Sequence, residues 1–114
     1  MNLSKKLDKQ IDNKSQNYYS DFDLIMHSYM LQKFSSDFSG NDALELGAGN
    51  GNFTIKLSKI FKNLTVVEGS SKSINKLKKI KFVNINLIQG DLENLQKLPI
   101  KQKFDNIFLI HTFE

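Results

Sequence analysis

ALELGAGNGNFT, Ala43 to Thr54, decides how the chain is read. Ala43-Leu44-Glu45-Leu46 is a short run that is mostly apolar and suits a strand. Gly47, Gly49 and Gly51 then let the backbone turn sharply, and Phe53, Leu57, Ile60 and Phe61 follow at i, i+4, i+7 and i+8, the spacing of one helix face. The stretch predicts a strand leading through a glycine turn into a helix, a junction whose bare backbone invites a ligand.

Upstream, residues 1–17 show no sustained periodicity and are expected to form a mobile arm. From Tyr18 to Phe38, apolar residues recur at Phe22, Ile25, Met26, Tyr29, Met30 and Phe34, close to helical spacing, with Ser20 or Asp21 as a candidate cap. One amphipathic helix is expected there, followed by a connector at Phe38–Asp42. Downstream, Leu64-Thr65-Val66-Val67 ends in Glu68-Gly69 and reads as a second strand. Ser70 or Ser71 can cap a helix whose inward positions are Ile74, Leu77 and Ile80. Val83, Ile85 and Leu87 alternate with Asn84 and Asn86, giving a third strand within Phe82–Gln89 that meets Gly90-Asp91. Phe104–Ile110 is a fourth. Strands alternating with helices imply parallel pairing through right-handed crossovers, and so an α/β sheet with helices on its faces. In such sheets ligands sit at the carboxyl ends of the strands, where Gly47 to Gly51, Glu68, Asp91 and His111 to Glu114 converge.

Composition narrows the chemistry. The 114 residues, 39% hydrophobic with nine Phe and one Pro, suit a single globular domain. There is no cysteine and only two histidines, His27 and His111, so disulfides and thiolate metal sites are excluded and no metal centre is expected. No apolar run is long enough to span a membrane, and the polar N-terminus does not resemble an export signal, so the expected address is the cytoplasm. The net charge of +4 comes with lysine as the basic residue at all sixteen positions. Without the planar fork of arginine, scattered lysines argue against nucleic-acid recognition.

The glycine turn does not fit the common nucleotide motifs. A dinucleotide site needs G-x-G-x-x-G, but Asn52 stands where the third glycine falls. The phosphate-loop pattern G-x-x-x-x-G-K-[ST] is absent. Glu45-Leu46-Gly47-Ala48-Gly49-Asn50-Gly51 instead resembles the first motif, acid-x-G-x-G-x-G, of class I S-adenosylmethionine-dependent methyltransferases. VVEGS at Val66–Ser70 resembles the second motif, QGDLENL at Gln89–Leu95 the third, and FDNIFLIHTFE at Phe104–Glu114 the fourth.

The resemblance implies a Rossmann-like open parallel sheet, strand order 3-2-1-4, over residues 18–114. It implies transfer of a methyl group from S-adenosylmethionine to a small-molecule acceptor. Gly47, Ala48, Gly49 and Gly51 would let the backbone approach the methionine and ribose parts, and Glu45 would orient the amino end. Glu68, 21 positions after Gly47 and followed by Gly69, would accept from the ribose hydroxyls, and Asp91 with Leu92 would meet the adenine. His111 is the candidate base for a hydroxyl acceptor, and Tyr18 and His27 are candidates for a lid helix. Full members of the class have seven strands, so the resemblance implies a chain truncated after strand four, with an exposed strand-four edge open to self-association or a partner chain. Two other functions fit the same residues: a non-catalytic partner or regulatory subunit that keeps the fold, and an RNA methyltransferase.

Overall fold

The computed structural model describes residues 3–5 and 18–110, with the side chains of 18–23 outside the description. Helix α1, Tyr18–Phe34, runs into a 3-10 turn at Ser35–Asp37. Then follow β1 Asp42–Leu46, α2 Asn52–Ile60, β2 Asn63–Glu68, α3 Ser71–Lys79 and β3 Ile85–Gln89. A 3-10 segment, Leu92–Lys97, precedes β4, Asn106–Phe108. The four strands form one sheet in the order β3-β2-β1-β4, and every pair is parallel. Sequence and structure agree on this topology. The β-branched run Thr65-Val66-Val67 fills the middle of β2, next to the central β1.

β1 is covered on both faces, which is why only its first residue escapes full burial. Ala43 shares one face with Phe53, Leu57, Phe61, Leu64, Val66 and Leu77. Leu44, Leu46 and Val67 face the other way, packed by Ile88, Leu92, Leu95, Leu98, Ile100 and Phe104. The period-2 alternation of the strands thus divides the apolar residues between two layers. Phe108 joins the first layer, its ring 5.5–5.9 Å from those of Phe38, Phe61 and Phe53.

Three sequence expectations need correction. Ile60 and Ile80, assigned inward, are both exposed: α2 ends at Ile60 and α3 at Lys79, and the residues that follow, Phe61 and Ile80, are extended. The third strand starts at Ile85, because Phe82 is held in a turn by its N–H donating to the Ile80 carbonyl. The expected apolar stripe of α1 is out of phase with the one that packs. Leu24, Ile25, Met26, Tyr29 and Phe34 are exposed, whereas His27 is buried and Leu31 packs against the core. The helix carries apolar residues around most of its circumference, so periodicity could not select the buried face. Among the described residues no helix is long and apolar enough to cross a membrane.

Candidate functional site

The carboxyl ends of β1, β2 and β3 lie side by side because β2 is paired between the other two. Gly47 extends the β1 ladder, its N–H donating to Val67 O at 2.8 Å. The chain then closes a turn in which Gly51 N–H donates to Ala48 O at 3.0 Å. Gly47, Gly49 and Gly51 have φ of 87°, 58° and 88°, a region costly for residues with a Cβ. Here the glycines are a backbone requirement. Asn50 completes the turn by accepting at Oδ1 from Asn52 N–H, a side-chain turn of the kind Asn favours.

Glu68, at the end of β2, binds this turn. Its Oε1 accepts from the N–H groups of Ala48, at 2.9 Å, and Gly49, at 3.2 Å, and its Oε2 accepts from Ser70 N–H at 2.7 Å. The carboxylate is buried, and these three donors replace the water it loses. An ionised carboxylate has about four acceptor positions, and among the described residues three donors are directed at this one. The sequence reading placed Glu68 at the site but foresaw only its ligand-facing role.

Glu45, two residues ahead of Gly47, is completely buried on the α2 side of β1. The Thr54 hydroxyl donates to its Oε1. Its Oε2 has no hydrogen-bond partner among the described residues. Burial, with a smaller contribution from the neighbouring Glu68 charge and partly offset by Thr54, raises its pKa from 4.5 to about 8. The carboxyl is therefore mainly protonated at neutral pH. An orphaned acidic oxygen beside a glycine turn suits a cationic group far better than a phosphate.

Asp91, just after β3, caps the 3-10 segment: Oδ1 accepts from Glu93 N–H at 2.8 Å and Oδ2 from the Asn94 side-chain amide at 2.9 Å. Gly90 N–H donates to Glu68 O at 3.1 Å, which ties this segment to the end of β2. Gly69, Gly90 and Asp91 line one cavity of about 280 Å³. The Leu92 side chain packs with Leu44, Leu46 and Val67. A larger cavity of about 410 Å³, lined by Asp42, Asn63, Asn84 and Gln102 among others, opens at the opposite end of the strands and does not touch the glycine turn.

Two supporting residues were missed by sequence reasoning, Thr54 and Ser73. The Ser73 hydroxyl donates to Gly49 O in the turn, the Thr54 hydroxyl to Glu45 in β1, and both residues are buried. The available signal was their position beside apolar residues of the packed stripes, Phe53 and Ile74. His27, one of the lid candidates, is a core residue, its ring edge-to-face with Phe53 at 4.8 Å. The Tyr18 side chain and the segment His111–Glu114, including the candidate base, lie outside the described residues. No group of three potential metal ligands occurs among the described residues.

A family model described as a methyltransferase domain matches residues 43–114, and this chain belongs to that family. Its sheet and helices are the Rossmann-like fold of class I S-adenosylmethionine-dependent methyltransferases. Among solved structures, an S-adenosylmethionine-dependent methyltransferase from Clostridium acetobutylicum is 27% identical, with a TM-score of 0.57 over 73% of this chain and 34% of its own. A complex described as DhpI-SAM-HEP is 22% identical, with a TM-score of 0.61 over 96% of this chain and 52% of its own. Coclaurine N-methyltransferase bound to N-methylheliamine and SAH is 20% identical, with a TM-score of 0.61 over 77% of this chain and 28% of its own. The chain thus spans between about a quarter and a half of these proteins. Comparison with curated proteins gives no match.

Proposed function

We propose that the chain binds S-adenosylmethionine at the carboxyl ends of β1–β3 and serves methyl transfer to a small-molecule acceptor. The observation that carries this reading is the pairing of a glycine turn that lacks the phosphate-loop pattern with two buried carboxyls, Glu45 and Glu68. When bound, the cofactor supplies a methyl group on a cationic sulfur. Glu45 holds the positive amino end through its unpartnered Oε2, losing its proton as the cation arrives. Glu68 keeps the turn closed and offers an acceptor position to the ribose. Asp91 receives the adenine amine while still capping its own segment, and Gly47, Ala48, Gly49, Gly51 and Gly69 allow close backbone approach. Leu92, whose side chain packs against the sheet, meets the adenine beside Asp91.

His111 is the proposed base where the acceptor is a hydroxyl. Displacement at a sulfonium depends chiefly on alignment and exclusion of water, so a base is not required for every acceptor. The lysine-only basic complement argues for a small acceptor over RNA, and a cytoplasmic address is part of this reading. The outer edge of β4, with Ile107 and Leu109 exposed, is the surface for a partner chain or a second copy.

The test is calorimetric titration of the folded chain with S-adenosylhomocysteine, with hydrogen exchange to locate the site. Saturable binding with new protection at residues 47–51 and 89–92 is expected, and NADH should give none. A folded chain that binds NADH and not S-adenosylhomocysteine would refute the assignment.

A further inference from the structure

Residues 3–5 form a helical turn that none of the motifs accounts for. Leu3 and Ser4 line the 280 Å³ cavity together with Gly69, Gln89, Gly90 and Asp91. The turn is anchored by a contact distant in sequence: Ser71 N–H donates to Ser4 Oγ at 3.2 Å. Ser71 is the first residue of α3, and an N–H at that position has no acceptor within its own helix. Ser4 thus satisfies an orphan donor next to the functional site and fixes where the N-terminal turn lies.

The composition of the cavity wall indicates what it suits. Gly69 and Gly90 contribute backbone only, so among the described residues Leu3 is the one large apolar side chain lining the space and Asp91 its one carboxylate. A slot with bare backbone, an aliphatic side chain and an acidic edge suits a flat heteroaromatic ring bearing an amino group. Leu3 remains 40% exposed, which leaves apolar surface for such a ring to cover.

We propose that Leu3 and Ser4 form the outer wall of the adenine subsite, making the N-terminal turn a cofactor-binding element. The inference rests on the cofactor reading above and adds a segment outside its motifs. The Leu3 side chain covers the ring, and the Ser4–Ser71 hydrogen bond holds Leu3 in place.

S-adenosylhomocysteine titrations of the wild-type chain, Leu3→Asp, Leu3→Met and Ser4→Ala test it, with circular dichroism confirming that each is folded. Leu3→Asp should weaken binding about tenfold, the factor expected from removing one partly buried aliphatic contact. Leu3→Met should stay within about threefold of wild type, since it keeps an apolar side chain of similar volume. Ser4→Ala should weaken binding less than Leu3→Asp and, without ligand, speed exchange of the Ser71 amide. Wild-type binding with an unchanged affinity in Leu3→Asp overturns the wall and leaves the cofactor reading standing. A folded wild-type chain that binds no S-adenosylhomocysteine overturns both.

Discussion

The Oε1 atom of Glu68 accepts a hydrogen bond from the backbone N–H of Ala48, 20 residues earlier, at 2.9 Å. The acid expected to meet the ribose is therefore also the acid that closes the glycine turn. Glu68→Ala strands the Ala48 and Ser70 amides, both in buried residues, and should cost at least about 3 kcal/mol, since hydrogen bonds to a charged group contribute roughly 1.5–3 kcal/mol each. Glu68→Gln keeps one acceptor but turns an N–H₂ toward a backbone donor, so an intermediate loss is expected. Urea unfolding of the three proteins measures this. Equal stability of Glu68→Ala and wild type would show that the carboxylate does not support the turn. Loss of cofactor binding in Glu68→Ala is informative only at a temperature where that variant remains folded.

Glu45 makes stability depend on pH in a definite direction. Its folded-state pKa of about 8 lies above the unfolded value of 4.5, so between these limits the native chain holds a proton that the unfolded chain has released. Its contribution is fully present below about pH 4.5 and is lost as pH rises through 8, at up to about 1.4 kcal/mol per pH unit. Glu45→Gln is neutral throughout and removes that slope. The variant should unfold near the wild-type temperature at pH 5 and clearly above it at pH 8. Parallel profiles for the two proteins would mean that Glu45 is not the titrating group.

The same carboxyl provides a signature of the proposed cofactor. If the cationic amino end engages Glu45 Oε2, the proton leaves on binding. Titrations with S-adenosylhomocysteine at pH 7 in buffers of different ionisation enthalpy should report release of up to about one proton by wild type and markedly less by Glu45→Gln. Identical release by both proteins would remove Glu45 from the amino-end site.

What could be read from sequence followed the strength of local signals. The β1–turn–α2 unit was legible because glycine spacing, strand composition and helix spacing agree over twelve residues; the order β3-β2-β1-β4 was implied by the family resemblance, while alternating elements and right-handed crossovers imply parallel pairing. The convergence of Gly47–Gly51, Glu68 and Asp91 was legible for the same reason. The double duty of Glu68 was not, because a pattern fixes which strand end carries an acid but not which backbone N–H it meets. Leu3 and Ser4 were illegible because their turn is held by the Ser4–Ser71 hydrogen bond, a contact that no local periodicity encodes.

Gly51 tests whether the turn is demanded by backbone conformation or by space. Its φ is 88°, and a Cβ there would stand 2.9 Å from Leu77 Cδ2. The near atom is the tip of a flexible side chain, so the left-handed backbone should dominate. Gly51→Ala is expected to cost about 1–2 kcal/mol. Combined with Leu77→Ala, the loss should be additive to within about 0.5 kcal/mol. A double variant much more stable than the sum would assign the cost to the Leu77 contact.

Helix α1 offers two phases, and stability measurements can choose between them. The spacing of Ile25, Met26, Tyr29 and Met30 suggests one inward face, whereas in the structure Ile25 is 70% exposed and His27 only 1%. The His27 ring lies edge-to-face on Phe53, in the layer that also holds Ala43 and Val66. His27→Ala should therefore open a void beside the helix that follows the glycine turn and cost about 2 kcal/mol. Ile25→Gln should change stability by no more than about 0.5 kcal/mol. The reverse order of effects in urea unfolding would rotate α1 by roughly half a turn and free His27 to face the site, restoring it as a lid candidate.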